Sequence, residues 1–128
     1  MSILVGKPFK LKIWYIEHFD EEDAQTGVSI VPEDTPDAKL LVCECKGASF
    51  DALSQVVSNA SLMNHITGKS NIQPRMYCRQ LILTFFTSWD AVDDDGYPIP
   101  LNSETINDTY YPLIKRMVQS WTKKTRGK

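Results

Sequence analysis

The chain has 128 residues, of which 42% are hydrophobic and 23% are charged, and its formal net charge is −2. This length suits one domain (1–128), and this balance is typical of a globular protein and excludes a disordered chain. No stretch approaches the roughly 20 apolar residues of a membrane span, and the apolar run Ile3–Val5 is too brief for a signal peptide. We therefore expect a single domain in the cytoplasm, with no membrane association.

Charge is distributed unevenly along the chain. The segment 17–37 contains eight acidic residues and no Lys or Arg, whereas the segment 112–128 contains six basic residues and no acid. Such polarity can order copies of a chain head to tail or attract a charged partner. The alternative is that the acidic residues lie on a solvated loop and the basic residues on a solvated helix end, as runs of charge usually do.

Residues 7–46 are predicted to be mainly β. From 7 to 17, apolar residues alternate with lysines, and this period of two puts one face of a strand on a core and the other in water. A second short strand is predicted over 28–31, and a third over 39–46, which Gly47 closes. These strands are expected to form a small antiparallel sheet.

Residues 49–124 are predicted to be mainly α. Ser49 can act as the N-cap of a first helix over 50–65, in which apolar residues recur every three or four positions. The second helix, over 74–88, begins with Pro74 in its first turn. Because this helix has apolar residues on nearly every side, we expect it to be the most buried element.

Glycine and prolines break the chain at 90–100, after which the helical pattern resumes. A short helical turn is predicted near 103–109 and a final amphipathic helix over 112–124, followed by a basic tail at 125–128. The expected fold class is therefore α+β, with a small N-terminal antiparallel sheet of three short strands followed by three helices.

Few residues in this sequence are candidates for binding a metal ion. Cys43, Cys45 and Cys78 are an odd number of cysteines, so we expect free thiols, and we expect the first two to point to opposite faces of the third strand. With His18 and His65 they do not have the spacing of a zinc site. No metal site is predicted from these residues.

The acidic segment DAVDDDGYPIP at 90–100 resembles a calcium loop only in part. If Gly96 takes the sixth position of an EF-hand, Ala91 falls at the first position and Asn102 at the twelfth, where carboxylates are needed. Carboxylates that bond nearby backbone amides in a solvated turn are the preferred interpretation. The chain also lacks GxxxxGK[ST], GxGxxG and GxSxG motifs. We therefore predict no cofactor, no metal and no enzymatic activity.

The segment from Ser88 to Lys124 carries a family resemblance. Trp89 ends an apolar helix and is followed by an acidic turn with Val92 and Gly96, a Pro-x-Pro, a capped helix and a final amphipathic helix. This order is similar to small tail assembly chaperones and related morphogenesis proteins of long-tailed bacteriophages, in which Trp, Val, Asp, Gly and Pro-x-Pro in this order close the folded part. We expect Trp89 and Val92 to anchor the turn on the core and Gly96 to set its path.

The resemblance implies a non-catalytic protein of the host cytoplasm that binds the tape measure and tail tube proteins as a chaperone during morphogenesis. Its binding surface should be apolar and adaptable, with Met63 on the first helix as one candidate. The alternative is that these apolar residues fill the core. The candidate protein-binding residues on the last helix are Leu113, Met117 and Trp121, flanked by Lys115, Arg116, Lys123 and Lys124.

A second hypothesis makes the protein a structural part of the virion, such as a neck, baseplate or tail component, that self-assembles through complementary charged ends. Its partners would then be copies of itself and not the tail proteins that a chaperone binds. The sequence does not discriminate between the two. A third hypothesis, nucleic-acid binding by the basic last helix, is disfavoured by the isoelectric point near 5.6.

Overall fold

The computed structural model describes residues 7–63 and 70–125, with the backbone alone at 62, 63 and 70. The structure is α+β, as predicted. No helix in the described ranges is long and apolar enough to cross a membrane. In chain order the elements are β1 (Phe9–Phe19), β2 (Gln25–Ile30), β3 (Lys39–Cys45), α1 (Phe50–Asn59), β4 (Ser61–Met63), β5 (Ser70–Ile72), α2 (Pro74–Phe85), β6 (Phe86–Trp89), α3 (Ser103–Asn107) and α4 (Tyr111–Thr125).

The main sheet has the strand order β2-β1-β3-β6, and every neighbouring pair is antiparallel. The long strand β1 serves two partners, because its first half pairs with β3 and its second half pairs with β2. Tyr15 is the point of exchange, since it lies opposite Lys39 on one side and Ile30 on the other. Strands β4 and β5 form a separate antiparallel pair.

One face of the sheet carries the core. Leu11 and Ile13 of β1 are buried beside Cys43 and Leu41 of β3, to which they are paired in register. Helix α4 packs on β1 and β2, and it also contacts α2, which packs against α1. The core therefore lies between this face and the helices, as the alternation of apolar residues in β1 predicts.

The expectation that Cys43 and Cys45 point to opposite faces is wrong. Both are fully buried on the core face, because residues two apart in a strand share a face. Burial raises the pKa of both thiols, for Cys45 to about 12, so both are neutral. All three cysteines are free, as predicted.

Both predicted helices end earlier than expected. Helix α1 ends at Asn59 and not at 65, and the chain enters β4, so Met63 is a strand residue whose side chain lies outside the described part. Helix α2 ends at Phe85, and the next four residues form the fourth strand, β6. Aromatic and β-branched residues such as Phe86 and Thr87 suit a strand, and the free edge of β3 offers them hydrogen bonds.

Helices α3 and α4 begin near the predicted positions. The side chain of Asn102 accepts a hydrogen bond from the Thr105 N–H, and Thr105 Oγ1 lies 3.1 Å from the Asn102 N–H, which is a capping box. Helix α4 starts at Tyr111 and has Pro112 in its first turn. Where three helices were predicted, the described residues contain four.

Candidate functional site

The apolar stripe of α4 is part of the core. Met117 is 0% exposed and Trp121 is 3% exposed, and the Trp121 ring stacks on Phe85 with centroids 4.7 Å apart. Leu113 is half-buried against the same core. The prediction that this stripe is an accessible binding surface is therefore wrong for the folded chain, and Trp121 is also not available to stack on a base. Exposed on the flanks of the helix are Lys115, Arg116, Lys123 and Lys124.

The segment after β6 is closed by Trp89. This residue is half-buried, and its indole Nε1–H donates a hydrogen bond of 2.7 Å to the carbonyl oxygen of Ile99. Gly96 has a φ of 84°, in the left-handed region that favours glycine, so it sets the path of the turn as predicted. Val92 is 56% exposed, and it holds the turn through its backbone, which forms an antiparallel β-bridge with Pro98. The prediction that the Val92 side chain anchors the turn is wrong.

Two carboxylates of the acidic turn accept hydrogen bonds from the backbone, one within the turn itself and one in β3. Asp93 Oδ1 accepts hydrogen bonds from the N–H groups of Asp95 and Tyr97, both at 2.9 Å, and Asp90 Oδ1 accepts from Val42 N–H at 2.8 Å. Within the described residues no group of three or more His, Cys, Asp or Glu side chains could hold a metal ion. His65 lies outside that part of the chain.

A cavity of about 750 Å³ opens where the core ends, and we call it the acidic cleft. The core face of β1 continues past Ile13 with Tyr15 and Glu17, so the sheet turns polar there. The loop closed by Trp89 and the junction of α3 with α4 form the other walls. The cleft is lined by aromatic Tyr15, Trp89 and Tyr110, by apolar residues including Val28, Leu41, Ala91, Ile99 and Leu113, by the acids Glu17, Asp90, Asp93, Asp94 and Asp108, and by Lys39.

Negative charge dominates the acidic cleft. Lys39 is the one base among its described lining residues, and it forms an ion pair with Glu17 at 2.5 Å. The hydrogen bond to Glu17 raises the pKa of Lys39, so this pair is internally neutral. Burial first, and then the charges of Glu17 and Asp90, raise the pKa of Tyr15, which is therefore a neutral phenol. None of the other four carboxylates forms an ion pair with a base among the described lining residues, although the charge of Asp94 also raises the pKa of Lys39.

Comparison of the chain with protein-family models, with curated proteins and with solved structures finds no match.

Sequence reasoning did not predict the acidic cleft. Its lining comes from β1, β3, the loop after β6 and the start of α4, which lie far apart along the chain. One local signal was present, because the alternation of apolar residues in β1 changes at Tyr15 and Glu17 while the strand continues to Phe19. A strand whose core face becomes polar before its end marks the rim of a core.

A second charged surface lies at the other end of α4, and we call it the basic groove. It has a volume of about 360 Å³ and is lined by Leu11, Lys12, Arg116, Gln119, Ser120, Lys123 and Lys124. Tyr110 donates a hydrogen bond to the Gln25 carbonyl beside the acidic cleft, and Trp121 donates one to the Lys46 carbonyl near the groove. Helix α4 contributes to both surfaces, since Leu113 near its start lines the cleft and residues from Arg116 to Lys124 line the groove, and Lys123 lies about 15 Å along the helix from Leu113.

Proposed function

We propose that this chain is a non-catalytic protein that binds other proteins during the assembly of a bacteriophage tail, and that the acidic cleft is its contact surface. The observation that carries the proposal is the composition of the cleft. Aromatic walls offer large contact area, and unneutralised carboxylates select a positively charged segment of a partner. A volume of about 750 Å³ is sufficient for several side chains of such a segment.

The carboxylates Asp94 and Asp108 are the groups of the cleft best placed to receive a cation. Both are exposed, and neither side chain takes part in a hydrogen bond or ion pair within the part of the chain that the structure describes. Asp90 and Asp93 already accept backbone hydrogen bonds. A lysine or arginine of a partner would therefore meet Asp94 and Asp108 without breaking an existing contact.

The link to phage tails rests on the resemblance of the segment that begins at Trp89. In the structure this same segment forms a wall of the acidic cleft, because Trp89, Ala91 and Ile99 all line it. The segment that carries the resemblance is thus part of the candidate site. The resemblance implies that the partners are the tape measure and tail tube proteins, which this chain would bind as a chaperone.

A structural virion component is the second candidate function. The observation that favours it is the separation of opposite charges, with the acidic cleft beside the start of α4 and the basic groove along the rest of the helix. A component of a neck, baseplate or tail would use both surfaces in the finished particle. Mass spectrometry of purified particles distinguishes the two functions, since a chaperone is absent from them and a component is present.

Charge reversal in the cleft tests the proposal. In the phage that encodes the chain, Asp94→Lys combined with Asp108→Lys should lower the yield of infectious particles by about tenfold or more and leave heads without tails in electron micrographs. The matched control is Asp34→Lys, an exposed acid outside the cleft lining. Normal tails with a folded double variant would exclude the cleft as the contact surface.

A further inference from the structure

The two charged surfaces of the molecule are complementary to each other. Besides the Glu17–Lys39 pair, the acidic cleft is lined by Asp90, Asp93, Asp94 and Asp108, and the basic groove has four cations with no acid among its described lining residues. The two ion pairs found among the described residues, Lys10–Glu44 and Lys39–Glu17, use none of these groups. Each surface therefore gains from a partner of the opposite charge.

The fold itself enforces this separation. Strand β1 carries Lys12 in its first half and Glu17 in its second half, and α4 runs beside it with Lys123 and Lys124 in its last turn. Cations near the end of a helix are favoured by the helix dipole, and the first turn of α4 lies beside the acidic cleft, where the dipole favours negative charge. Among the described residues no acid of the cleft forms an ion pair with a cation of the groove, and about 15 Å of helix lies between Leu113 at the cleft and Lys123.

We propose that the partner of the acidic cleft is the basic groove of a second copy of this chain, so that copies associate head to tail. This inference rests on the proposed function of the cleft as a protein contact surface. Two clefts facing each other, or two grooves facing each other, would bring like charges together, so a symmetric pair is disfavoured. A head-to-tail contact leaves one cleft and one groove free, and further copies then extend the assembly into a ring or a filament.

The side chains that would cross the contact suit the shape of the cleft. Lys123 and Lys124 are exposed at the end of α4 and have long apolar stems. Such stems can lie against Tyr110 or Trp89 while the ammonium groups reach the carboxylates of Asp94 and Asp108. Each charged group that the contact buries would therefore lie beside a group of opposite charge.

Sedimentation velocity on purified chains tests this contact. The wild-type chain should show a mass that rises with concentration at low salt and falls toward the monomer in about 1 M NaCl, where the Debye length is only about 3 Å. The cleft variant (Asp94→Lys with Asp108→Lys) and the groove variant (Lys123→Glu with Lys124→Glu) should each be monomeric alone. Mixed in equal amounts they should associate again, because each supplies the surface that the other has lost.

Two controls each reverse one charge outside both surfaces. Asp34→Lys and Arg75→Glu alter exposed residues that line neither the cleft nor the groove, and both variants should associate like the wild type. A wild-type chain that stays monomeric at low salt overturns the inference, as does a mixture of the two variants that fails to associate. If self-association fails while the cleft variant still blocks tail assembly, the proposed function stands and the second copy is excluded as the partner.

Discussion

The indole Nε1–H of Trp89 donates a hydrogen bond of 2.7 Å to the carbonyl oxygen of Ile99, and this contact, with the backbone hydrogen bond of 2.9 Å from the Ile99 N–H to the Ala91 carbonyl, closes the span that forms one wall of the acidic cleft. The same span contains the acidic turn, whose carboxylates hold its own backbone. The wall of the cleft is therefore built before any partner arrives, which lowers the entropic cost of binding.

Trp89→Phe separates the hydrogen bond from the packing of the ring. Losing the N–H and leaving the Ile99 carbonyl without its donor should lower the free energy of unfolding by about 1 kcal/mol. Trp89→Ala should cost roughly 2 to 4 kcal/mol, below the range for a fully buried aromatic because this side chain is half-buried. Urea unfolding measures both, with exposed Val92→Ala as the control that should change little. A cost near zero for Trp89→Phe would show that the hydrogen bond has no separate role, whereas equal costs for Phe and Ala would show that ring packing has none.

Met117→Ala tests whether the stripe of α4 is core. Because Met117 is fully buried, the substitution should lower the free energy of unfolding by roughly 2 to 5 kcal/mol. Lys115→Ala, an exposed change on the same helix, should cost less than about 0.5 kcal/mol. If Met117→Ala lowers the free energy of unfolding by less than about 1 kcal/mol, Met117 is not a core residue and this helix is again a candidate binding surface.

Gly96→Ala should loosen the acidic turn. Its φ of 84° is unfavourable for any residue with a Cβ, and the expected loss is about 1 kcal/mol. Gly27→Ala is the matched control, because an added Cβ there meets no atom within 4 Å and its φ is not positive. Thermal melts of the two variants give the comparison. Equal stability of both variants would mean that the turn relaxes to another conformation.

The buried thiols predict how stability depends on pH. Burial raises the pKa of Cys45 to about 12, whereas an unfolded cysteine titrates near 8.5, so the native state holds the proton more tightly. The stability from this group is therefore fully present below about pH 8.5 and is lost as the pH rises toward 12. Urea unfolding of the reduced protein between pH 7.5 and pH 10 should show the decline. In Cys45→Ala the decline should be shallower, and an unchanged slope would assign it to other groups.

Local patterns in the sequence predicted the elements that local physics determines. The alternation in β1, the cap at Ser49 and the proline at 112 place a strand and two helix starts close to where they occur. The chain over 86–88 was predicted as helix because its apolar pattern continues that of α2. Its strand conformation depends on pairing with β3, some forty residues earlier, and no local pattern contains that partner.

Local patterns also could not predict where the binding surface lies. A stripe on α4 shows that the helix has an apolar face, but the sheet that covers Met117 and Trp121 is known only from the tertiary structure. The acidic cleft likewise forms from segments that meet only after folding. The charge pattern predicted only the basic side, because Arg116, Lys123 and Lys124 of the basic segment line the groove, whereas Glu17 is the one acid of the segment 17–37 that lines the cleft.

The central claim is that the acidic cleft receives the basic groove of a second copy of this chain. The most direct measurement is an NMR titration of ¹⁵N-labelled wild-type chain, dilute enough to be monomeric, with the unlabelled cleft variant, whose basic groove is intact and whose own cleft is blocked. Amide shifts should be confined to the cleft, at Ala91, Asp94, Asp108 and Tyr110, and should disappear in about 1 M NaCl. Spectra that do not change, or shifts that appear at Lys12 and Lys123 and leave the cleft untouched, would contradict the claim.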